Sequence, residues 1–599
     1  MLKRFLLNML SSFVGAWIAI ALCVVSVILL FFGMVGNLAL SSASNVEQVK
    51  SRSILAISLD GDIQEREMAL EPDLTSVLRG KMDAPQSLDV IVQSIRDAAE
   101  NDDIVAIYLK CGSLYAAPAT LDAIRHELEE FKKTTDGKKK VLAYAESFTQ
   151  GCYFIASVAD EIYMNPAGQM DLRGLSSASY FMKGLFDKLG LEFQVVKVGT
   201  YKSAVEPYIL NDMSDPARAQ MDTLLGNMWG YIRGHIADSR KSVTPQLIDS
   251  LINRDFISVS EPSLAVTSGL VDSLIYERDM KQKLASISGR EVEKLNLVGP
   301  STLVSQSPWN AEYGSKKQVA VLYACGGIED GNDNQINYEK LVPQIVRLAD
   351  DEKVKALVLR VNSPGGSVFG SDQIGEALDY FKSKGKPFVV SMGDYAASGG
   401  YWISATADRI FADPLTITGS IGIFGLLPNF KGTLDILGVN VATVSTNPVA
   451  NFPTGYQPLT DRQMAEMQKY VDRGYDQFTS RVAKGRGMDK EKVLRIAEGR
   501  VWDAQTALKI GLVDSLGYLR DAIDWAAAKA SIASDYDVAA YPRIEPSIWN
   551  LIQLNSMSVG ELKKAADMKD MEKLKVYLIR RLLSRYPVQA RMPEFVIAL

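Results

Sequence analysis

The sequence predicts two fused α/β domains of one type, and three observations carry that reading. Short apolar, β-branched runs alternate with longer helical patterns, as in Val319-Ala320-Val321-Leu322, then Tyr338 to Ala349, then Leu357-Val358-Leu359. This is the order of helices that cover a largely parallel sheet. The hexapeptide Gly269-Leu270-Val271-Asp272-Ser273-Leu274 recurs as Gly511-Leu512-Val513-Asp514-Ser515-Leu516. Upstream segments match at nearly the same offset: Val141-Leu142-Ala143-Tyr144 parallels Val389-Val390-Ser391-Met392, and the run from Ile104 to Leu109 parallels that from Val354 to Leu359. A repeat this long is a duplicated globular domain, because solenoid units run to only a few tens of residues.

The chain of 599 residues is too long for one core, and its segments divide accordingly. Residues 1–45 form an anchor: no charge occurs from Phe13 to Leu40, long enough to cross a bilayer of roughly 30 Å and longer than the core of a cleavable signal peptide. Lys3 and Arg4 precede the span, which favours a cytoplasmic N-terminus and puts everything after residue 45 outside the cytoplasm. The first copy is placed at 51–295 and the second at 316–535. Segments 216–255 and 462–498 read as helices, suited to core packing or to contacts between copies or subunits. The tail, 541–599, is more basic, and its Leu574-Tyr577-Leu578-Leu582 spacing predicts an amphipathic helix.

Composition narrows the chemistry. A net charge of -6 is small for this length and gives no sign of nucleic-acid binding. Cys23, Cys111, Cys152 and Cys325 form no Cys-x-x-Cys or Cys/His cluster, which argues against a zinc site, and no metal or other cofactor is expected. The two histidines, His126 and His235, lie in helix-like segments away from any glycine-rich turn. A Ser-His-Asp triad is therefore not expected, and a serine nucleophile would need another base.

The differences between the copies locate the candidate site. In the second copy the apolar run Pro387-Phe388-Val389-Val390, read as a buried strand, leads through Gly393 into Ala396-Ala397-Ser398-Gly399-Gly400-Tyr401, and Ile403 to Ile410 reads as a packed helix. A serine at a glycine-rich strand-to-helix turn is either a nucleophile or a cap. The first copy has Gln150-Gly151-Cys152 there. Only the second copy has Asn362-Ser363-Pro364-Gly365-Gly366-Ser367 after a strand, where glycines let backbone N–H groups face a ligand oxygen or simply make a tight turn. Only the first copy has Gly199-Thr200-Tyr201-Lys202-Ser203; its counterpart near Asn447-Pro448-Val449 has no lysine. Lys202 is a candidate for the missing base, a role that needs burial to bring its pKa far below about 10.4.

Tyr201-Lys202-Ser203-Ala204, Asn362-Ser363-Pro364-Gly365-Gly366, Ala397-Ser398-Gly399-Gly400-Tyr401 and Thr418-Gly419-Ser420-Ile421-Gly422, in that order, resemble the signal peptide peptidase A family in its long, duplicated form, protease IV. The resemblance covers nearly the whole chain. It implies tandem Clp-protease/crotonase-like domains and a Ser-Lys dyad, with Ser398 as nucleophile, Lys202 as general base, Gly365 and Gly366 as oxyanion donors and Ser420 orienting the lysine. It further implies a homotetramer in the inner membrane, its catalytic domains extracytoplasmic, acting on hydrophobic peptides left from cleaved signal sequences. Two rival readings are an acyl-CoA enzyme of the crotonase type, since fold does not settle function, and a membrane scaffold whose site has decayed.

Overall fold

The computed structural model describes residues 49–66, 86–305, 317–329, 331, 335–447, 449–543, 588–592 and 596–598. The apolar span Phe13–Leu40 lies outside them, and no described helix is long and apolar enough to cross a membrane.

In the first copy, β1 (Ser53–Gln64), α1 (Leu88–Glu100), β2 (Ile104–Tyr115), α2 (Pro118–Thr134), β3 (Lys140–Ala145), α3 (Gln150–Ala156) and β4 (Glu161–Met164) follow in order. The four strands are neighbours in one parallel sheet. Helices on both faces explain the unbroken apolar runs: Ile107 and Leu109 of β2 and Val141 and Ala143 of β3 are fully buried on one face, Ala106 and Leu142 on the other. Each large aliphatic side chain so buried contributes about 1.5–3 kcal/mol. On α1, Leu88, Ile91, Ile95 and Ala98 turn one stripe to this core.

Beyond β4 the first copy continues through β5 (Ser176–Ala178), α4 (Lys183–Lys188), β6 (Glu192–Val198) and α5 (Asp215–Ser239). The second copy repeats the scheme with β7 (Gln318–Cys325), α6 (Tyr338–Asp350), β8 (Val354–Ser363), β9 (Gly365–Ser367), α7 (Val368–Ser383), β10 (Phe388–Ala397), α8 (Gly399–Ser404), β11 (Arg409–Ala412), β12 (Ile417–Gly419), β13 (Ile423–Asn429), α9 (Lys431–Ile436) and α10 (Asp461–Arg486). Strands β7, β8, β10 and β11 are again neighbours and parallel.

The repeated hexapeptide has the same work in each copy. The Tyr153 hydroxyl donates to Leu270 O and that of Tyr401 to Leu512 O, both at 2.8 Å. Asp272 and Asp514 accept from the amides of Ile162 and Ile410 at 2.7 and 2.8 Å, which ties each hexapeptide to the sheet.

Three expected helices are shorter than predicted. The segment Ile403–Ile410 is not one helix: α8 stops at Ser404, and Arg409–Ala412 is a strand paired in parallel with β10. Its Ile and Phe gain more from a buried ladder than from a helix. Segment 216–255 breaks after Ser239 and restarts at Pro245 behind a Thr244 cap, and 462–498 breaks at left-handed Gly487.

Where the copies join, β6 of the first pairs antiparallel with β13 of the second, Val198 opposite Ile423 through Glu192 opposite Asn429. The described part of the tail is extended rather than helical. Strand β14 (Val588–Arg591) lies antiparallel between β9 and β13, and Val596–Ala598 pairs with β5. The predicted helix around Leu574 lies outside the described residues.

Candidate active site

Ser398 stands between β10 and α8 with φ 55° and ψ −114°, a conformation that a side-chain-bearing residue adopts only under strain of about 1–3 kcal/mol. The strain is held from both sides: Ser398 N donates to Gly419 O and Trp402 N to Ser398 O, each at 2.8 Å. Gly400 has no room for a side chain, since a Cβ there would lie 2.6 Å from Ser363 O. That close approach sets the turn 363–367 beside the serine-bearing helix.

Lys202 arrives from the other copy. After β6, Tyr201 N donates to Glu498 O at 2.9 Å, and Gly499 packs so closely that a Cβ there would sit 2.6 Å from Lys202 Cβ. Held in this way, Lys202 is fully buried, as are Ser398 and Ser420. Its Nζ lies 2.8 Å from Ser398 Oγ, 3.0 Å from Ser420 Oγ and 3.1 Å from Ser420 O. No carboxylate is among these partners. Burial alone pushes the amine well below its ordinary range, towards the neutral form. Ser420 itself has φ 52° and donates its N–H to Arg500 O at 2.7 Å, which aims hydroxyl and carbonyl together at the lysine.

Gly365 has φ 98°, a left-handed conformation suited to glycine, and Gly366 passes so near the Ile328 backbone that no Cβ fits. The Gly365 N–H donates to Ser363 Oγ at 3.2 Å. Along this strand β14 of the tail is docked: Gly366 faces Ala590, and Met592 N donates to Pro364 O at 2.7 Å.

All five residues singled out in the sequence therefore lie on the elements that meet here, with Lys202, Ser398 and Ser420 in direct contact. In the first copy's equivalent place, beside a cavity of about 510 Å³ lined by Gly112, Ser113 and Thr149, other groups take these positions. Gln150 Oε1 accepts from the Arg173 and Gly174 amides, Leu172 is buried, and Asp60 Oδ1 accepts from Ser113 N at 2.8 Å where the second copy has its glycine turn. The histidines are elsewhere: His126 stacks on Tyr518 and His235 lies against Tyr231. Sequence reading missed the cradle Glu498-Gly499 and the tail strand. The alternation Val588-Gln589-Ala590-Arg591-Met592 was a signal for the second; the first had none, because it depends on a contact across the fold.

Models of known families match this chain. Peptidase family S49 matches residues 133–291 and 380–533, and the Clp protease family matches 325–413. The chain is 36% identical over 530 residues to "Protease 4" of Haemophilus influenzae, covering 86% of this chain and 85% of that protein. It is 34% identical over 556 residues to "Protease 4" of Salmonella typhi, covering 89% and 87%. Over 219 residues it is 36% identical to "Putative signal peptide peptidase SppA" of Enterococcus faecium, covering 36% of this chain and 64% of that protein.

Proposed function

The chain belongs to peptidase family S49 and is a serine protease of the protease IV type, and we propose that it works through a Ser398–Lys202 dyad. The observation that carries this reading is the 2.8 Å approach of Lys202 Nζ to Ser398 Oγ, both out of water. A neutral amine has two N–H groups and one lone pair. Ser420 O and Ser420 Oγ take the two donors, so the lone pair is left to accept the Ser398 hydroxyl proton. As Oγ adds to a substrate carbonyl, Lys202 takes the proton, and N–H groups of the turn at Gly365 and Gly366 hold the oxyanion, Gly365 giving up its bond to Ser363 Oγ. The ammonium then protonates the leaving amine, and water, deprotonated by Lys202, releases the acyl group.

The substrate reading is a hydrophobic peptide in extended form, with cleaved signal peptides as its main source. Two observations support it: β14 lies between β9 and β13 as an added strand, the mode in which sheet edges take up peptides, and the Enterococcus faecium relative is named for signal peptides. The apolar run Phe13–Leu40 supports a single-pass anchor in the inner membrane with both copies on the extracytoplasmic side.

A homotetramer closed as a ring completes the reading. Within one chain β6, which follows α4, pairs with β13. The second copy's counterpart, residues 440–446 after α9, is exposed coil with Val444 entirely in solvent. The first copy's counterpart of β13 carries β5. One chain's 440–446 pairing beside a neighbour's β5 would repeat the internal junction head to tail, and such heterologous contacts close into rings.

Ser398→Ala and Lys202→Ala are each expected to lower cleavage of an unstructured apolar peptide by about a thousandfold or more, with circular dichroism unchanged. Near wild-type turnover by purified Lys202→Ala would remove the lysine from the base role.

A further inference from the structure

Behind the glycine turn lies a cluster of buried polar side chains to which the dyad chemistry gives no task. Strands β8 and β10 pair in regular register as far as Val361 opposite Met392, then slip, so that Ser363 faces Ala396. The slip leaves Asn362 beside Asp394 and Tyr395. Asn362 Nδ2 donates to Glu65 Oε1 at 2.9 Å and to Asp394 Oδ2 at 2.8 Å, while its Oδ1 accepts from Tyr395 N at 3.1 Å.

Both carboxylates are also engaged elsewhere. Glu65, from the end of β1 in the first copy, forms a two-pronged pair with Arg360, both bonds 3.0 Å and both side chains nearly buried. A Cβ on Gly393 would run into Glu65 Oε1, so a side chain there would push this carboxylate out of its place. Asp394 accepts from Thr120 N and Thr120 Oγ1, each at 2.9 Å, and Thr120 lies in the first turn of α2, again in the first copy.

We propose that Glu65 and Thr120 are positioning residues for the protease reaction, acting through Asn362 and Asp394 on the glycine turn and on the Ser398 turn together. Asn362 directly precedes Ser363-Pro364-Gly365, and Asp394 lies on the strand that ends at Ser398. The slip is where the two chains part, one towards the oxyanion donors and one towards the nucleophile. Asn362 is held there by two carboxylates tied to the first copy: Glu65 belongs to it, and Asp394 is anchored on its Thr120. Oxyanion donors work only within a few tenths of an ångström of the developing charge, and a displacement of about 1 Å lowers turnover roughly a hundredfold. A fully satisfied buried network can fix a turn to that tolerance. The first copy would thus contribute, besides the base, the frame on which the second copy's donors are set.

The inference rests on the oxyanion role given above to Gly365 and Gly366, and the test separates the two. In the full-length protein, Thr120→Val removes one donor to Asp394 at constant shape, Glu65→Gln keeps an acceptor for Asn362 but drops the charge facing Arg360, and Thr120→Ser restores the hydroxyl. Thr120→Val and Glu65→Gln are expected to lower kcat about 10- to 100-fold with KM within about threefold. Inhibition by a peptide aldehyde, whose serine adduct places an oxygen in the hole, should weaken by the same factor, while the midpoint of the pH–rate rise stays at its wild-type value. Thr120→Ser should recover turnover to within about threefold of wild type. Unchanged kcat in Thr120→Val, or an unchanged aldehyde affinity alongside a lowered melting temperature, would overturn the proposal and leave a purely structural contact. Should Glu65→Gln fail to fold, Thr120→Val decides alone. If Ser398→Ala still cleaved peptide, the dyad reading itself would fall; if it is inactive while Thr120→Val matches wild type, only this inference does.

Discussion

At the scale of single residues, the proposed dyad makes the protonation of Lys202 decisive for the chemistry. Its folded-state pKa is lowered by burial, so between that value and the unfolded value of about 10.4 the unfolded chain binds more protons than the native one. Stability contributed at this position therefore rises with pH across that window. Relative to Lys202→Met, the wild type is expected to gain melting temperature as pH is raised from neutral towards 10, a trend readable by calorimetry at several pH values. A constant difference would mean that the amine is charged in the fold. The close approach of Gly400 to Ser363 O makes a second expectation at this scale. Gly400→Ala must push the glycine turn away from α8, and kcat should fall by about a hundredfold or more while apolar-peptide KM changes little.

Among the elements, β14 and β6 matter most. Because β14 occupies the strand position between β9 and β13, a substrate strand that takes up this position, as proposed above, would displace it. Deleting residues 588–599 is expected to lower KM for an extended apolar peptide several-fold with kcat nearly constant; an unchanged or raised KM would show that substrate approaches along another edge. Much of this level was legible in the sequence. The alternation of β-branched runs with helical stretches gave the parallel sheets, and the absence of a lysine near Asn447 singled out Lys202. The end of α8 was not legible, because Ile403 to Ile410 suits either state and pairing with β10 decides it. Nor could the sequence place Glu65 or Glu498, since each works only through contacts with residues hundreds of positions away.

For the whole molecule, the proposed dyad means that duplication was followed by division of labour, with a single site shared between the copies. The first copy fills its own turn with Asp60 and Gln150 and exports an amine; the second keeps serine and glycines and supplies no lysine of its own. The junction β6–β13 that brings them together is also the pattern proposed for contacts between chains. Val444→Asp, in the exposed strand-like segment, is therefore expected to shift the detergent-solubilised protein from tetramer to monomer in light scattering, with the internal dyad intact. An unaltered tetramer would place the ring contact elsewhere.

The measurement closest to the central claim is the pH dependence of Ser398 labelling by a fluorophosphonate, in the wild type and in Lys202→Ala. The wild type is expected to label along a single sigmoid whose midpoint lies far below about 10.4, and Lys202→Ala to label about a thousandfold more slowly with no midpoint in that range. Labelling of Lys202→Ala at the wild-type rate, or with the same midpoint, would contradict the assignment of one copy's amine as base for the other copy's serine.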